Sequence, residues 1–83
     1  MRAHPTRYAI LGATLSEAQR RLLRALPVNL CFDPDELPEF AGSLAALQRD
    51  GLIERARVSG STARWLRLTA RGLRVREATE RMA

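Results

Sequence analysis

Three arginines, Arg55, Arg57 and Arg64, flank the stretch Ser59-Gly60-Ser61-Thr62. Guanidinium groups gathered at a chain reversal suit bidentate hydrogen bonding to phosphate above other chemistry. If the chain turns at Gly60-Ser61, counting outward sets Val58 opposite Ala63, Arg57 opposite Arg64, Ala56 opposite Trp65, Arg55 opposite Leu66, Glu54 opposite Arg67 and Ile53 opposite Leu68. Two facing arginines repel by a few tenths to about 1 kcal/mol. Arg57 and Arg64 therefore either share an anion, which reverses the sign, or bend apart into solvent.

Other chemistries lack their residues. His4 has no second histidine to share a metal or a proton with. Cys31 is the one cysteine, so neither an internal disulfide nor a cysteine metal cluster is open to the chain. It sits in the apolar run Val28-Asn29-Leu30-Cys31-Phe32, where a small buried thiol is the ordinary outcome. No glycine-rich phosphate loop or nucleophile elbow occurs. An enzyme is not expected, and no cofactor is implied.

Charge is divided along the 83 residues. Residues 1–32 carry five arginines and one glutamate, residues 33–50 one arginine and five acids, and residues 51–83 eight arginines and three glutamates. The segments sum to +4, −4 and +5, which points to a polyanion at the basic ends and a different neighbour at the acidic centre. All fourteen basic residues are arginine, a uniformity that genome base composition explains at least as well as function. No apolar run reaches membrane-spanning length. Arg7 and Gly12 interrupt the N-terminal apolar residues, a poor match to a secretion signal, so a cytoplasmic protein is expected.

The elements that position these residues follow from pattern. Residues 1–14 read as an arm holding one apolar patch, Tyr8-Ala9-Ile10-Leu11, and residues 15–83 as the domain. Ser16 and Gln19 have the spacing of a capping box. Ala18, Leu22, Leu23 and Leu26 mark the buried face of the helix that follows, and Pro27 ends it. Residues 28–32 predict a brief strand or an extended connection. Leu37, Phe40, Ala41, Leu44 and Leu47 recur at steps of three and four, predicting one helix over 37–50 with Gly51 as its left-handed cap. Residues 52–58 and 63–68 predict a hairpin closed by a two-residue type II′ turn, and Thr69 caps a last helix. Leu44 and Leu47 would anchor the second helix and leave Ser43, Ala45, Ala46, Gln48 and Arg49 facing outward. The fold class is α+β: about three helices and a two-stranded hairpin, with a third short strand near residues 28–32.

The run Leu44-Ala45-Ala46-Leu47-Gln48-Arg49-Asp50-Gly51-Leu52-Ile53-Glu54-Arg55, a short hairpin, and Leu66-Arg67-Leu68-Thr69-Ala70-Arg71-Gly72 together resemble the winged helix-turn-helix of MarR-like and PadR-like bacterial regulators. The resemblance implies a recognition helix over 37–50, a wing over 52–68 and a following helix; the chain departs from the family pattern in that the motif's second helix is either missing or reduced to a turn around Asp33-Pro34. It further implies double-stranded DNA as partner, in a transcriptional regulator or mobile-element accessory factor. Ser43, Gln48 and Arg49 would then read bases, and Arg55, Arg57 and Arg64 would hold the backbone. Half-site symmetry would require a homodimer, through Trp65, Leu73 and Met82. Two features point instead to a protein-interaction module without DNA: the acids Asp33, Asp35, Glu36 and Glu39, and a tryptophan on the outer hairpin face that either the last helix or a second protein covers.

Overall fold

The computed structural model describes residues 7–82, a small α+β fold of four α-helices and a three-stranded antiparallel sheet. In chain order come α1 (Arg7–Thr14), α2 (Glu17–Ala25), β1 (Cys31–Phe32), α3 (Ala41–Arg49), β2 (Ile53–Ala56), β3 (Trp65–Leu68) and α4 (Ala70–Met82). Two single 3₁₀ turns, Pro34–Glu36 and Pro38–Phe40, separate β1 from α3.

α2 begins and ends where its sequence directs. Ser16 Oγ accepts from the Gln19 N–H at 3.1 Å, and Gln19 Oε1 accepts from the Ser16 N–H at 3.0 Å. Leu26, the residue before Pro27, is already extended and closes the helix. Leu22, Leu23 and Leu26 are buried.

Residues 7–14, expected as an arm, form a helix that packs along α4. Tyr8, Leu11 and Leu15 recur at helical spacing and all reach the core, Leu15 fully. The continuous apolar run 8–11 hides that periodicity, because Ile10 stays 58% exposed.

The expected helix over 37–50 is shorter: α3 starts at Ala41. Pro38 is the cause, since its ring drives the preceding residue out of the helical region, and Leu37 has φ −128° and ψ 54°. The apolar steps at 37 and 40 continue as two 3₁₀ turns instead. Ala46, expected to face outward, lies in the core at 8% exposure. Gly51 takes the left-handed conformation foreseen for it, with φ +76°.

The sheet has the order β1-β3-β2. Ile53 pairs with Leu68, Glu54 with Arg67, Arg55 with Leu66 and Ala56 with Trp65, the register obtained by counting outward from Gly60-Ser61. Cys31 and Phe32 pair with Arg67 and Leu66, giving the short third strand. Leu23, Leu47, Leu52 and Val75 are fully enclosed, so α2, α3, the start of the hairpin and α4 share one core.

Thr69 ties α4 to the end of α3. Its Oγ accepts from the Gly72 N–H at 2.9 Å and shares its proton between the carbonyls of Gly51 (2.8 Å) and Leu52 (3.0 Å). Its own N–H donates to the Leu52 carbonyl at 3.0 Å. One residue thus caps a helix and fixes the corner from which the hairpin departs.

Candidate functional site

α3 and the hairpin are the two walls of an open groove of about 440 Å³. Ala41, Ala45 and Gln48 line it from α3, Arg55 and Arg64 from the hairpin, and Asp35 from the first 3₁₀ turn. Leu44 and Leu66, both buried, form its floor. The pairing explains the hairpin wall: cross-strand partners share a sheet face, so Arg55 rises from the same face as Leu66 while Ile53 and Leu68 meet the core.

The hairpin ladder stops at Ala56 and Trp65, short of the expected pairs Arg57–Arg64 and Val58–Ala63. Residues 57–64 form a loop instead. Its tight turn is one residue earlier than expected: the Ser61 N–H donates to the Val58 carbonyl at 3.0 Å, and Gly60, at the third position with φ +79°, gives it the type II rather than the II′ pattern. Side-chain chemistry displaces the ladder. Ser61 Oγ accepts from the Trp65 indole N–H at 2.8 Å and from the Ala63 N–H at 3.1 Å, and these bonds hold residues 61–63 out of strand geometry. The loop encloses a second hollow of about 640 Å³ to which Arg55, Arg57, Arg64 and Trp65 all contribute. Arg55 and Arg64 thus belong to both concavities, and Arg57 to the loop alone.

Of the expected base readers, only Gln48 lines the groove. Arg49 is exposed one residue on, about 100° round the helix, and Ser43 is half-buried. Ala41 takes the place that Ala46 was expected to share with Ala45. With α3 rotated so that Ala46 is buried, residues 41, 45 and 48 follow the i, i+4, i+7 rule and share the groove face.

Among the described residues no carboxylate forms an ion pair with the arginine cluster. Among the described residues the ion pairs are Glu17–Arg21, Glu54–Arg67 and Glu80–Arg76. Arg49, Arg55, Arg57 and Arg64 are exposed and make no salt bridge or side-chain hydrogen bond there. Glu54 and Arg67 meet at 2.8 Å on the opposite sheet face, so the nearest hairpin carboxylate is already engaged away from the groove. Asp35 is the acid that enters the groove. Asp33 accepts from the Asp35 N–H at 2.9 Å and braces the turn, while Glu36 and Glu39 are exposed.

The residues expected at a partner interface are spread out. Trp65 is half-buried and bonded to its own loop, and Leu73 is half-buried on α4 and does not line the Trp65 hollow. The Met82 side chain and His4 lie outside the described residues. Cys31 is a half-buried free thiol. Among the described residues no three metal-ligating side chains gather, and no helix is long and apolar enough to cross a membrane. Comparisons with known protein families, with curated proteins and with solved structures found no match.

Proposed function

We propose that the protein binds double-stranded DNA as a winged-helix domain, with α3 at the major groove and the loop over 57–64 on the flanking backbone. The carrying observation is the set of three exposed arginines around one loop, none neutralised within the chain among the described residues. Clustered guanidinium groups repel one another in the free protein, and phosphate oxygens relieve that repulsion through charge-assisted hydrogen bonds. The order of α3, hairpin and α4 supports a recognition helix, a wing and a following helix. The two 3₁₀ turns stand where the motif's second helix would be. This reading makes the protein a bacterial, cytoplasmic transcriptional regulator or mobile-element accessory factor, acting as a homodimer on paired half-sites.

Titrating duplex DNA at rising salt tests it. Three phosphate contacts, one each from Arg55, Arg57 and Arg64, give a slope of log affinity against log salt of roughly −2.7. Absence of binding at low salt removes the proposal.

A protein-docking module is the second reading. It draws on Glu36 and Glu39, exposed beside Phe40, which shows 37% of its surface. Such a patch suits a partner with basic and apolar groups.

A further inference from the structure

Building on the duplex-binding reading, we infer that α3 reads A·T base pairs, with Gln48 bonding adenine and Ala41 and Ala45 packing against thymine methyl groups. The three residues form one stripe on the groove wall. At 100° per residue they fall within about 60° of helix circumference, and at 1.5 Å rise they span about 10.5 Å, or roughly three base-pair steps. All three are exposed, so each is free to meet a base edge.

The chemistry of the stripe selects among bases. The Gln48 amide has one acceptor and two donors, which complement the N6–H donor and N7 acceptor that adenine presents in the major groove. Alanine methyl groups have no hydrogen-bonding capacity, and the apolar feature of a major groove is the thymine C5-methyl. No carboxylate stands in the stripe to accept from cytosine, and no guanidinium to bond guanine. The arginines of the groove, Arg55 and Arg64, belong to the opposite wall. A groove of about 440 Å³ between the walls is open enough to take a sugar-phosphate strand, with guanidinium groups on one side and base edges against the alanines on the other. Arg49, about 100° from Gln48, is directed away from this strand.

The test is selection of duplexes with a randomised centre, followed by affinity measurements on the enriched site with two probes. One probe replaces each thymine by deoxyuridine, which removes only the methyl. The other is Gln48→Ala, a change at an exposed position that leaves the thermal unfolding curve in place. Enrichment of A·T pairs, a loss of about fourfold for each critical methyl removed, and a loss of roughly five- to a hundredfold in Gln48→Ala confined to one A·T position are the expected results. Tight duplex binding without A·T enrichment, or with indifference to both probes, overturns the inference and leaves the DNA-binding reading standing. No duplex binding at low salt overturns both.

Discussion

The indole N–H of Trp65 donates to Ser61 Oγ at 2.8 Å, tying the first residue of β3 back to the loop that precedes it. The same hydroxyl accepts from the Ala63 N–H at 3.1 Å, so one serine organises the segment bearing Arg57 and Arg64. Ser61→Ala removes both bonds with little change in volume. Global stability should fall by no more than about 1 kcal/mol, since the bonds are solvent-exposed and their net worth is small. Loop order should suffer more. Trp65 is the single tryptophan, so its emission reports the site directly. A red shift, easier quenching by acrylamide and a two- to tenfold loss of duplex affinity are expected, roughly the cost of re-ordering the loop on binding. An unchanged emission spectrum and unchanged quenching would show that the hydroxyl does not hold the loop.

Arg57 and Arg64 have no intrachain partner among the described residues, which separates their binding role from any structural one. Replacing both by alanine should leave the melting temperature within about 4 °C, because exposed substitutions away from special features change stability little. The salt slope of duplex binding should become shallower by about 1.8, two contacts at 0.9 each. Arg67→Ala is the matched control. Arg67 is on the opposite sheet face in an exposed pair with Glu54, worth about 0–1 kcal/mol to stability, and its loss should leave the slope unchanged. Equal slopes for the double variant and the parent would exclude the loop from the phosphate interface.

Much of this architecture is written in short local signals. The Ser16–Gln19 capping box, Pro27, Gly51 and Thr69 each act within a few residues of themselves, and each performs the role its type implies. The hairpin register is equally local, as alternation of apolar and charged residues allows one pairing that buries Ile53 and Leu66 together. What escaped depends on context. Pro38 limits α3 from its start, a constraint that apolar periodicity alone does not carry. Burial of Ala46 is decided by how α3 rolls against its neighbours, and that roll selects Ala41 over Ala46 for the groove. The loop turn is set by a side-chain bond from Trp65 to Ser61, four residues back, so turn propensity at Gly60 alone places it one residue late. α1 forms because α4 supplies the surface it covers.

Gly72 is where α4 approaches the chain after α3 most closely. A Cβ there would collide with the Leu52 carbonyl oxygen and lie 2.8 Å from Leu68 Cδ1 and 3.0 Å from the Leu52 carbonyl carbon. The leucine tip could shift, but the Leu52 carbonyl already accepts from the Thr69 N–H. Gly72→Ala must therefore move the helix, and the gain in helix propensity, about 1 kcal/mol, is outweighed. A net loss of about 1–3 kcal/mol is expected, as for other overpacked sites. For a chain of this length that lowers the melting temperature by roughly 4–24 °C, measurable by circular dichroism. A variant as stable as the parent would mean that α4 stands further from Leu52 than described.

Asp35 brings a carboxylate into the groove that Arg55 and Arg64 line, where it opposes an approaching phosphate. Its side chain is not the brace of its turn, since the Asp33 carboxylate accepts from the Asp35 N–H. Asp35→Asn therefore removes a charge and leaves the turn intact. A phosphate about 7 Å away is repelled by Asp35 with roughly 0.6 kcal/mol in water. Removing that charge should tighten duplex binding about two- to threefold at low salt, and the gain should fade as salt screens the pair. If no phosphate enters the groove, the same substitution should leave duplex affinity unchanged. Fluorescence anisotropy of labelled duplex at two salt concentrations distinguishes these outcomes. Weaker duplex binding by Asp35→Asn would show that the carboxylate assists the complex, and would displace the phosphate strand from this groove.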